Sequence, residues 1–515
     1  MHSSGEDHPL LVQGTEQGYD DSAEVEEILG GREETEKALL RKVDFRMSFL
    51  VFLIILNYVD RTNAAAARLR GFEEDLGLEG TQFSSVLSIF YVGYVVVQIP
   101  SSKHFTESDK QAIGVFGLRL VGPWCNHFLY RNTNFCPWKE KKSDNFRYSY
   151  HQALLARFLL GFAEAPFYSG AMFFLGRWYK RNELSERMAY LVCGMLFSIA
   201  FGTLIASFIL DVMEGVLGLP AWHWLFFVEG GLTTVSAIAA MFILPDFPET
   251  KSISWLSPAE HTLARRRMVE DSSGTPDLPV RATSGFYLAI SDWKVWYLAA
   301  AMFFETVSTS FMIFFPTLTA TMGYSTTSTL LLCAPPWLAA AASSIWLSRH
   351  SDRMQERCMH VIIPFMIAIC GFLLAMATMN TAIRYVSLLV HPPFYFLFSS
   401  PFHRFFMAQS SISDVTFFAW ASSTVGDPPA KRAVALALIN AIAQGANIAG
   451  AYVWVTEWGP TYTKSFLICT VTFLVTILMC LYLREALKRL NHKMDFEDEP
   501  SGLQVPYTKG WRYHT

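Results

Sequence analysis

The chain has little charge and no local metal-binding motif. Only 17% of its 515 residues are charged, whereas soluble domains carry roughly 25%. The net charge of −4 leaves no basic excess of the kind that binds nucleic acid. None of the eight cysteines stands in a CxxC or CxxH spacing, so they indicate small packing residues. We therefore expect no nucleic-acid partner and no metal site.

Sequences typical of catalysis and of secretion are also missing. There is no Walker A sequence for ATP, and the thirteen histidines form no HExxH or similar motif. We expect no cofactor and no enzymatic activity. Residues 1–40 are polar and acidic and lack a basic head followed by an apolar run. They are typical of a disordered cytoplasmic tail rather than of a signal peptide.

Long apolar runs are what the chain has in abundance. Hydrophobic residues make up 52% of it, and about twenty apolar residues suffice to cross a bilayer as a helix. Eleven such runs occupy 46–66, 82–100, 153–176, 188–211, 222–245, 294–320, 328–347, 361–379, 383–421, 432–455 and 464–484, and a weaker twelfth occupies 111–130. This pattern predicts an all-α membrane protein. A large soluble enzyme with buried helices is the alternative, disfavoured because the runs recur along nearly the whole chain.

Basic clusters test the weak twelfth run. Six of them lie near residues 41, 180, 265, 349, 431 and 484, and the positive-inside rule places such short loops in the cytoplasm. Twelve spans put all six clusters and both termini on the cytoplasmic side. With only eleven spans, the alternation of sides fails between residues 100 and 154, and the six clusters cannot all be cytoplasmic. We therefore predict a third, degraded crossing within 101–150.

A polar stretch divides the spans into two groups of six, as in two-bundle transporters, whose substrate site lies near the midplane. The predicted organisation is a disordered cytoplasmic N-terminal tail (1–42), an N-terminal six-helix bundle (43–245), a cytoplasmic connector (246–292), a C-terminal six-helix bundle (293–486) and a cytoplasmic C-terminal tail (487–515). Two stretches, 101–150 and 390–405, do not fit the pattern. One interpretation is that the first is a long extracellular loop and the second a Pro-broken helix. The alternative is a faulty gene model in which intron sequence is read as coding, and the product would then be non-functional.

The loop after the eighth span, LSRHSDRMQER, combines acidic and basic residues that can latch helix ends on the cytoplasmic side. Its candidate gate residues are Arg349, Asp352, Arg353 and Arg357. It resembles the signature loop of the major facilitator superfamily, whereas the matching loop after the second span, SSKHFTESDK, retains little of that motif. The alternative interpretation is an ordinary positive-inside loop.

Five further segments are similar to the fungal allantoate permease group, the anion:cation symporter branch of that superfamily. They are LNYVDRTN (56–63), AWHWLFFVEG (221–230), LPDFPET (244–250), WLSPAE (255–260) and PPAKRAVALALINAIAQGANIAG (428–450). The resemblance implies the major facilitator fold and proton-coupled uptake of a small organic anion or vitamin, such as nicotinate, allantoate or pantothenate. It also implies a multi-pass protein of the plasma membrane, and we expect a monomer.

Polar residues inside the first and fourth spans are the main site candidates, because ionisable groups at membrane depth are costly. Asn57, Asp60 and Arg61 lie about one turn apart. Arg157, Glu164 and Tyr168 share one helix face by their spacing. We expect Arg157 to attract the anion and Asp60 or Glu164 to carry a proton. The alternative is a set of structural ion pairs.

The second half of the chain adds weaker candidates. Glu305 can line the central cavity from the seventh span, with water exposure as the alternative. Asn440, Gln444 and Asn447 share one face of the eleventh span, where amides bind substrate or join helices. Glu229 is interpreted as structural.

A drug:proton antiporter of the same superfamily is the competing function. It is disfavoured because its fifth-span motif is not evident in 188–211.

Overall fold

In the computed structural model, regular structure is helical throughout the described residues, which are 21–107, 150–244, 247–248, 253, 255–272, 282–354, 356–381, 410–425 and 429–497. The main helices are α1 (Asp21–Ala67), α2 (Gln82–Glu107), α3 (Tyr150–Gly176), α4 (Arg181–Val212), α5 (Ala221–Ile243), α6 (Pro258–Ser272), α7 (Ala282–Ile290), α8 (Trp293–Thr309), α9 (Phe311–Ala320), α10 (Thr326–Met354), α11 (Cys358–Ala377), α12 (Ser410–Val425), α13 (Pro429–Ala451) and α14 (Thr463–Glu497).

Six segments of the described chain are long and apolar enough to cross a membrane. They are Tyr190–Val212, Trp293–Ala320, Thr326–Ser351, Cys358–Ala377, Val434–Ala451 and Thr463–Asp495. The prediction of an all-α membrane protein is confirmed. Helices α1, α3, α5 and α8 carry the buried charges described below.

Helix packing divides the chain into two halves with matching internal contacts. In the N-half, α1–α5, helix α1 packs against α4 and α5, and α2 packs against α3. In the C-half, α8–α14, helix α8 packs against α13 and α14, and α10 packs against α12. The halves meet where α2 contacts α13 and where α4 contacts α10. This is the arrangement of two helix bundles that rock against each other.

Two glycines allow α2 and α3 to approach closely. A β-carbon at Gly93 would overlap the backbone oxygen of Phe158, and one at Gly161 would overlap that of Phe90. Small residues at helix crossings permit this spacing in membranes. The close contact fixes α3, which carries Arg157 and Glu164, against α2.

The halves are joined on one side, which we call the far side. It contains the ends of α1, α4 and α13 and the starts of α2 and α10. There the Ser85 hydroxyl lies 3.0 Å from the Tyr452 hydroxyl, and Thr327 donates to Asp211 at 2.8 Å. One hydrophobic core also spans both halves. The structure is therefore closed on the far side.

The opposite side holds α6 and is called the connector side. Helix α6 begins with a capping box. The Ser257 hydroxyl accepts a bond from the Glu260 backbone N–H at 3.2 Å, and the Glu260 carboxylate accepts one from the Ser257 backbone N–H at 2.8 Å. Pro258 occupies the first helical position, which suits proline. Burial alone would raise the pKa of the Glu260 carboxyl, but hydrogen bonds from Lys42 and Ser257 lower it overall.

Ion pairs dock α6 onto the N-half. Lys42 of α1 lies 2.7 Å from Glu260. Arg267, with a side chain 1% exposed, lies 2.5 Å from Glu183 of α4 and 2.7 Å from Glu36 of α1. Helix α6 of the connector is therefore packed on the surface of the N-half.

The predicted tail boundaries differ from the structure. Residues 21–42, assigned to a disordered tail, belong to α1, because Leu39 and Val43 are buried in a core that also contains Leu256. Helix α14 likewise continues through residues 487–497 of the predicted C-terminal tail. The predicted third span at 111–130 and the stretch 390–405 lie outside the described residues.

Candidate substrate and proton site

Among the described residues, the centre of the N-half contains five buried charged side chains. These are Asp60, Arg61, Arg157, Glu164 and Glu229, which we call the N-half charge cluster. Helix α1 supplies the first two, α3 the next two and α5 the last. Each is at least nine-tenths buried. Four of these residues are candidates predicted from the sequence, and the fifth, Glu229, is the one interpreted there as structural.

Arg61 is fully engaged. Its Nη2 and Nε atoms donate to Oε2 of Glu164 at 3.0 and 3.2 Å. The guanidinium also lies over the rings of Tyr58, Phe90 and Tyr94, with centroid distances of 4.5, 5.0 and 5.1 Å. Such cation–π contacts stabilise a desolvated cation. Arg61 therefore pairs with Glu164 of α3.

Arg157 has a weaker set of partners. Its Nη2 donates to the amide oxygen of Asn63 at 3.0 Å, and its guanidinium lies 5.8 Å from the centroid of the Phe226 ring. Glu164 interacts with it electrostatically but bonds Arg61. Arg157 therefore keeps donors with which to bind an anion.

Asp60 and Glu229 both have carboxyl oxygens that lack a hydrogen bond. Asp60 accepts a bond from Thr233 at 2.7 Å through Oδ2, while its Oδ1 has no partner among the described residues. Neither oxygen of Glu229 has one there. Asn63 and Arg157 are its polar neighbours.

Glu229 also lines a cavity between the two halves. The N-half wall includes Asn63 and Thr203, and the C-half wall is Met312, Ile313, Phe315, Pro316 and Trp337. The Trp337 ring is fully buried, and its Nε1 has no hydrogen-bond partner within the described chain. The cavity is thus lined by Glu229 from the N-half and by Trp337 from the C-half.

The C-half has its own buried carboxyls, away from this cavity. Glu305 of α8 is 2% exposed, and its carboxyl interacts directly with that of Asp414 of α12. Thr306 donates to Oε2 of Glu305 at 3.3 Å. Glu305 thus faces another acid inside the C-half, not the cavity between the halves and not water.

The other predicted site residues are not brought into the charge cluster. Asn447 of α13 donates to Gln444 of the same helix at 3.4 Å, and Asn440 is partly buried one turn earlier. Asn57 is partly buried on α1, and Tyr168 packs on the N-half core. Within the described ranges, no hydrogen bond joins any of them to the charge cluster.

The predicted gate residues lie on the connector side. Arg349 and Arg353 are exposed at the end of α10, and the backbone oxygen of Arg357 accepts a bond from Val361 in α11. The side chain of Asp352 lies outside the described residues. Sequence analysis missed Glu356, which lies 3.4 Å from Arg484 and ties this loop to α14.

Several partners of the cluster carried no sequence signal. Asn63, Thr233 and Trp337 are ordinary polar or aromatic residues of apolar spans, and only the packing of separate helices places them at the site. Among the described residues, no group of three or more metal-ligating side chains occurs.

Comparison with known proteins agrees with the architecture. The chain resembles the MFS-type transporter cnsO of Penicillium expansum, with 28% identity over 87% of this chain and 82% of that protein. An Agrobacterium vitis protein with the provisional name tartrate transporter is 27% identical over 68% of this chain and 75% of its own length. The fold matches the xylose transporter XylE of E. coli, with a TM-score of 0.61 at 11% identity, covering 86% and 98% of the two chains.

Two halves with a buried polar site between helices define a membrane transporter, not an enzyme. The profile of the Major Facilitator Superfamily matches residues 50–451. The chain belongs to this family, and the predicted superfamily and fold are confirmed.

Proposed function

We propose that the chain is a secondary active transporter that takes up a small organic anion together with protons. Arg157 carries this proposal, because it is 4% exposed and its hydrogen-bond partner is the uncharged amide of Asn63. Asn63 lines the cavity between the halves. A buried guanidinium without a carboxylate bonded to it binds a carboxylate ligand well. The name of the tartrate transporter relative supports an organic anion as substrate.

We also propose that the chain belongs to the allantoate permease branch and acts as a monomer. We place it in the plasma membrane with both termini in the cytoplasm. With the connector side in the cytoplasm, closure of the far side blocks the path to the outside in this conformation. Substrate that has crossed would leave toward the connector side. Rocking of the halves would then expose Arg157 to the far side again.

Uptake in proteoliposomes tests the proposal. We expect one of labelled nicotinate, allantoate, pantothenate or tartrate to accumulate when the outside is more acidic than the inside. Arg157→Gln should abolish this uptake, and Arg157→Lys should retain part of it because the charge remains. Extrusion of cationic drugs without anion uptake would instead support the antiporter function.

A further inference from the structure

The N-half charge cluster does not balance its own charge. Three carboxyls and two guanidiniums, if all ionised, leave one net negative charge, and each side chain is at least nine-tenths buried. An uncompensated buried charge is costly, and such a group takes up a proton instead. The empty site is therefore expected to hold one proton.

Hydrogen bonding identifies which carboxyl holds it. Glu164 accepts two bonds from Arg61, and Asp60 accepts one from Thr233. A carboxylate needs several donors when it is removed from water. Neither oxygen of Glu229 has a donor in full hydrogen-bonding geometry in the described part of the chain, and the Asn63 side chain interacts with it only loosely, so its ionised form is the least stabilised of the three.

The surroundings of Glu229 agree with this assignment. Its charged neighbours are Asp60 on α1 and Arg157 on α3. Asp60 disfavours the ionised form of Glu229, whereas Arg157 favours it. Helix α4 contributes Thr203 to the cavity wall, and the five C-half wall residues are all uncharged. A protonated carboxyl at this position presents an O–H donor to the cavity beside the Arg157 guanidinium.

We propose that Glu229 is a neutral carboxylic acid in the empty transporter and donates a hydrogen bond to an oxygen of the anionic substrate, beside Arg157. This assignment rests on the proposed function, and it gives Glu229 a substrate-binding role. With Glu229 neutral, the remaining four charges cancel. A bound monovalent anion then requires one further proton, and the unpartnered Oδ1 of Asp60 is the oxygen that accepts it.

Infrared spectroscopy tests the protonation without any substrate. Wild-type protein in detergent at neutral pH should show the carbonyl band of a protonated carboxylic acid that Glu229→Gln lacks. The exposed control Glu485→Gln should retain this band. A Glu305→Gln variant identifies any band from the C-half acids. An unchanged spectrum in Glu229→Gln would overturn the proposal, whether or not an organic anion is transported.

A second measurement separates substrate binding from a structural role. Uptake of labelled nicotinate, allantoate and tartrate should persist in Glu229→Gln, whose amide also donates, and should fall at least about tenfold in Glu229→Ala, as expected for loss of a hydrogen bond to a charged group. Wild-type affinity should decline more steeply at high pH, because Glu229 ionises and the proton on Asp60 is lost, while Glu229→Gln should keep only the decline due to Asp60. Identical pH profiles for these two proteins would contradict the binding role.

Discussion

The two buried arginines of the N-half are chemically alike but have different partners, and we propose different roles for them. Arg61 is neutralised by Glu164 at 3.0 Å and covered by three aromatic rings, so it is part of the bundle's structure. Arg157 bonds only an amide oxygen and therefore has donors left with which to bind an anion. Partner chemistry, not burial, separates the two roles.

Removal of the Glu164 charge tests whether the Arg61–Glu164 pair stabilises the fold. Glu164→Gln leaves Arg61 as a buried cation without its carboxylate, which costs about 3–5 kcal/mol. We expect a clearly lower melting temperature in detergent. Glu485→Gln removes an exposed partner of Arg489 and is the control, since such pairs contribute about 0–1 kcal/mol. Equal melting temperatures for the two variants would show that the Arg61–Glu164 pair is not structural.

At the scale of helices, close packing of α2 on α3 holds the charged face of α3 in place. Gly161→Ala inserts a methyl group against the backbone oxygen of Phe90 and should destabilise the N-half by about 1–3 kcal/mol. Gly176 has open space around its α-carbon, so Gly176→Ala is the matched control. Thermal unfolding of both variants measures the difference, and a loss in Gly176→Ala as large as in Gly161→Ala would refute the packing argument.

The connector helix responds to acid through Glu260. The folded protein holds the pKa of Glu260 below its ordinary value of 4.5, so its bonds to Lys42 and Ser257 stabilise docking above that pH and weaken as the pH falls below it. Hydrogen exchange of α6 should therefore increase under acid in the wild type. In Glu260→Gln, exchange should be faster at neutral pH and change less with acid. The same acid response in both proteins would assign it to other carboxylates.

The helices and charged candidates were predictable from sequence, whereas their partners were not. Apolar length and the cost of intramembrane charge pointed to Asp60, Arg61, Arg157 and Glu164. Arg61 and Glu164 are 103 residues apart, so no local pattern reveals that they pair. No sequence pattern marked Glu229 as a site residue, because its surroundings are formed by other helices of both halves.

The upstream part of α1 was predictable in hindsight. Leu39, Val43 and Met47 recur every four residues, which is helical spacing. The acidic composition of the surrounding segment outweighed this pattern in the prediction of a disordered tail. The helix forms because its apolar face is buried against the connector.

For the whole molecule, contacts between the halves on the far side favour the observed conformation. Tyr452 of the C-half lies 3.0 and 3.4 Å from the hydroxyls of Ser85 and Ser88 in the N-half. Tyr452→Phe removes these bonds, each contributing about 1 kcal/mol. The population open to the far side should rise about fivefold or more. Spin-label distances between the far-side ends of α2 and α13 measure it, with the exposed Tyr482→Phe as control, and unchanged distances would contradict the role of Tyr452.

The central claim is that an organic anion and protons cross together through the N-half charge cluster. The most direct measurement is the external pH of a weakly buffered suspension of proteoliposomes when nicotinate, allantoate, pantothenate or tartrate is added. We predict that one of these anions makes the external medium more alkaline in wild-type vesicles and not in Arg157→Gln vesicles. Anion uptake without a pH change, or an unchanged signal in Arg157→Gln, would contradict the account.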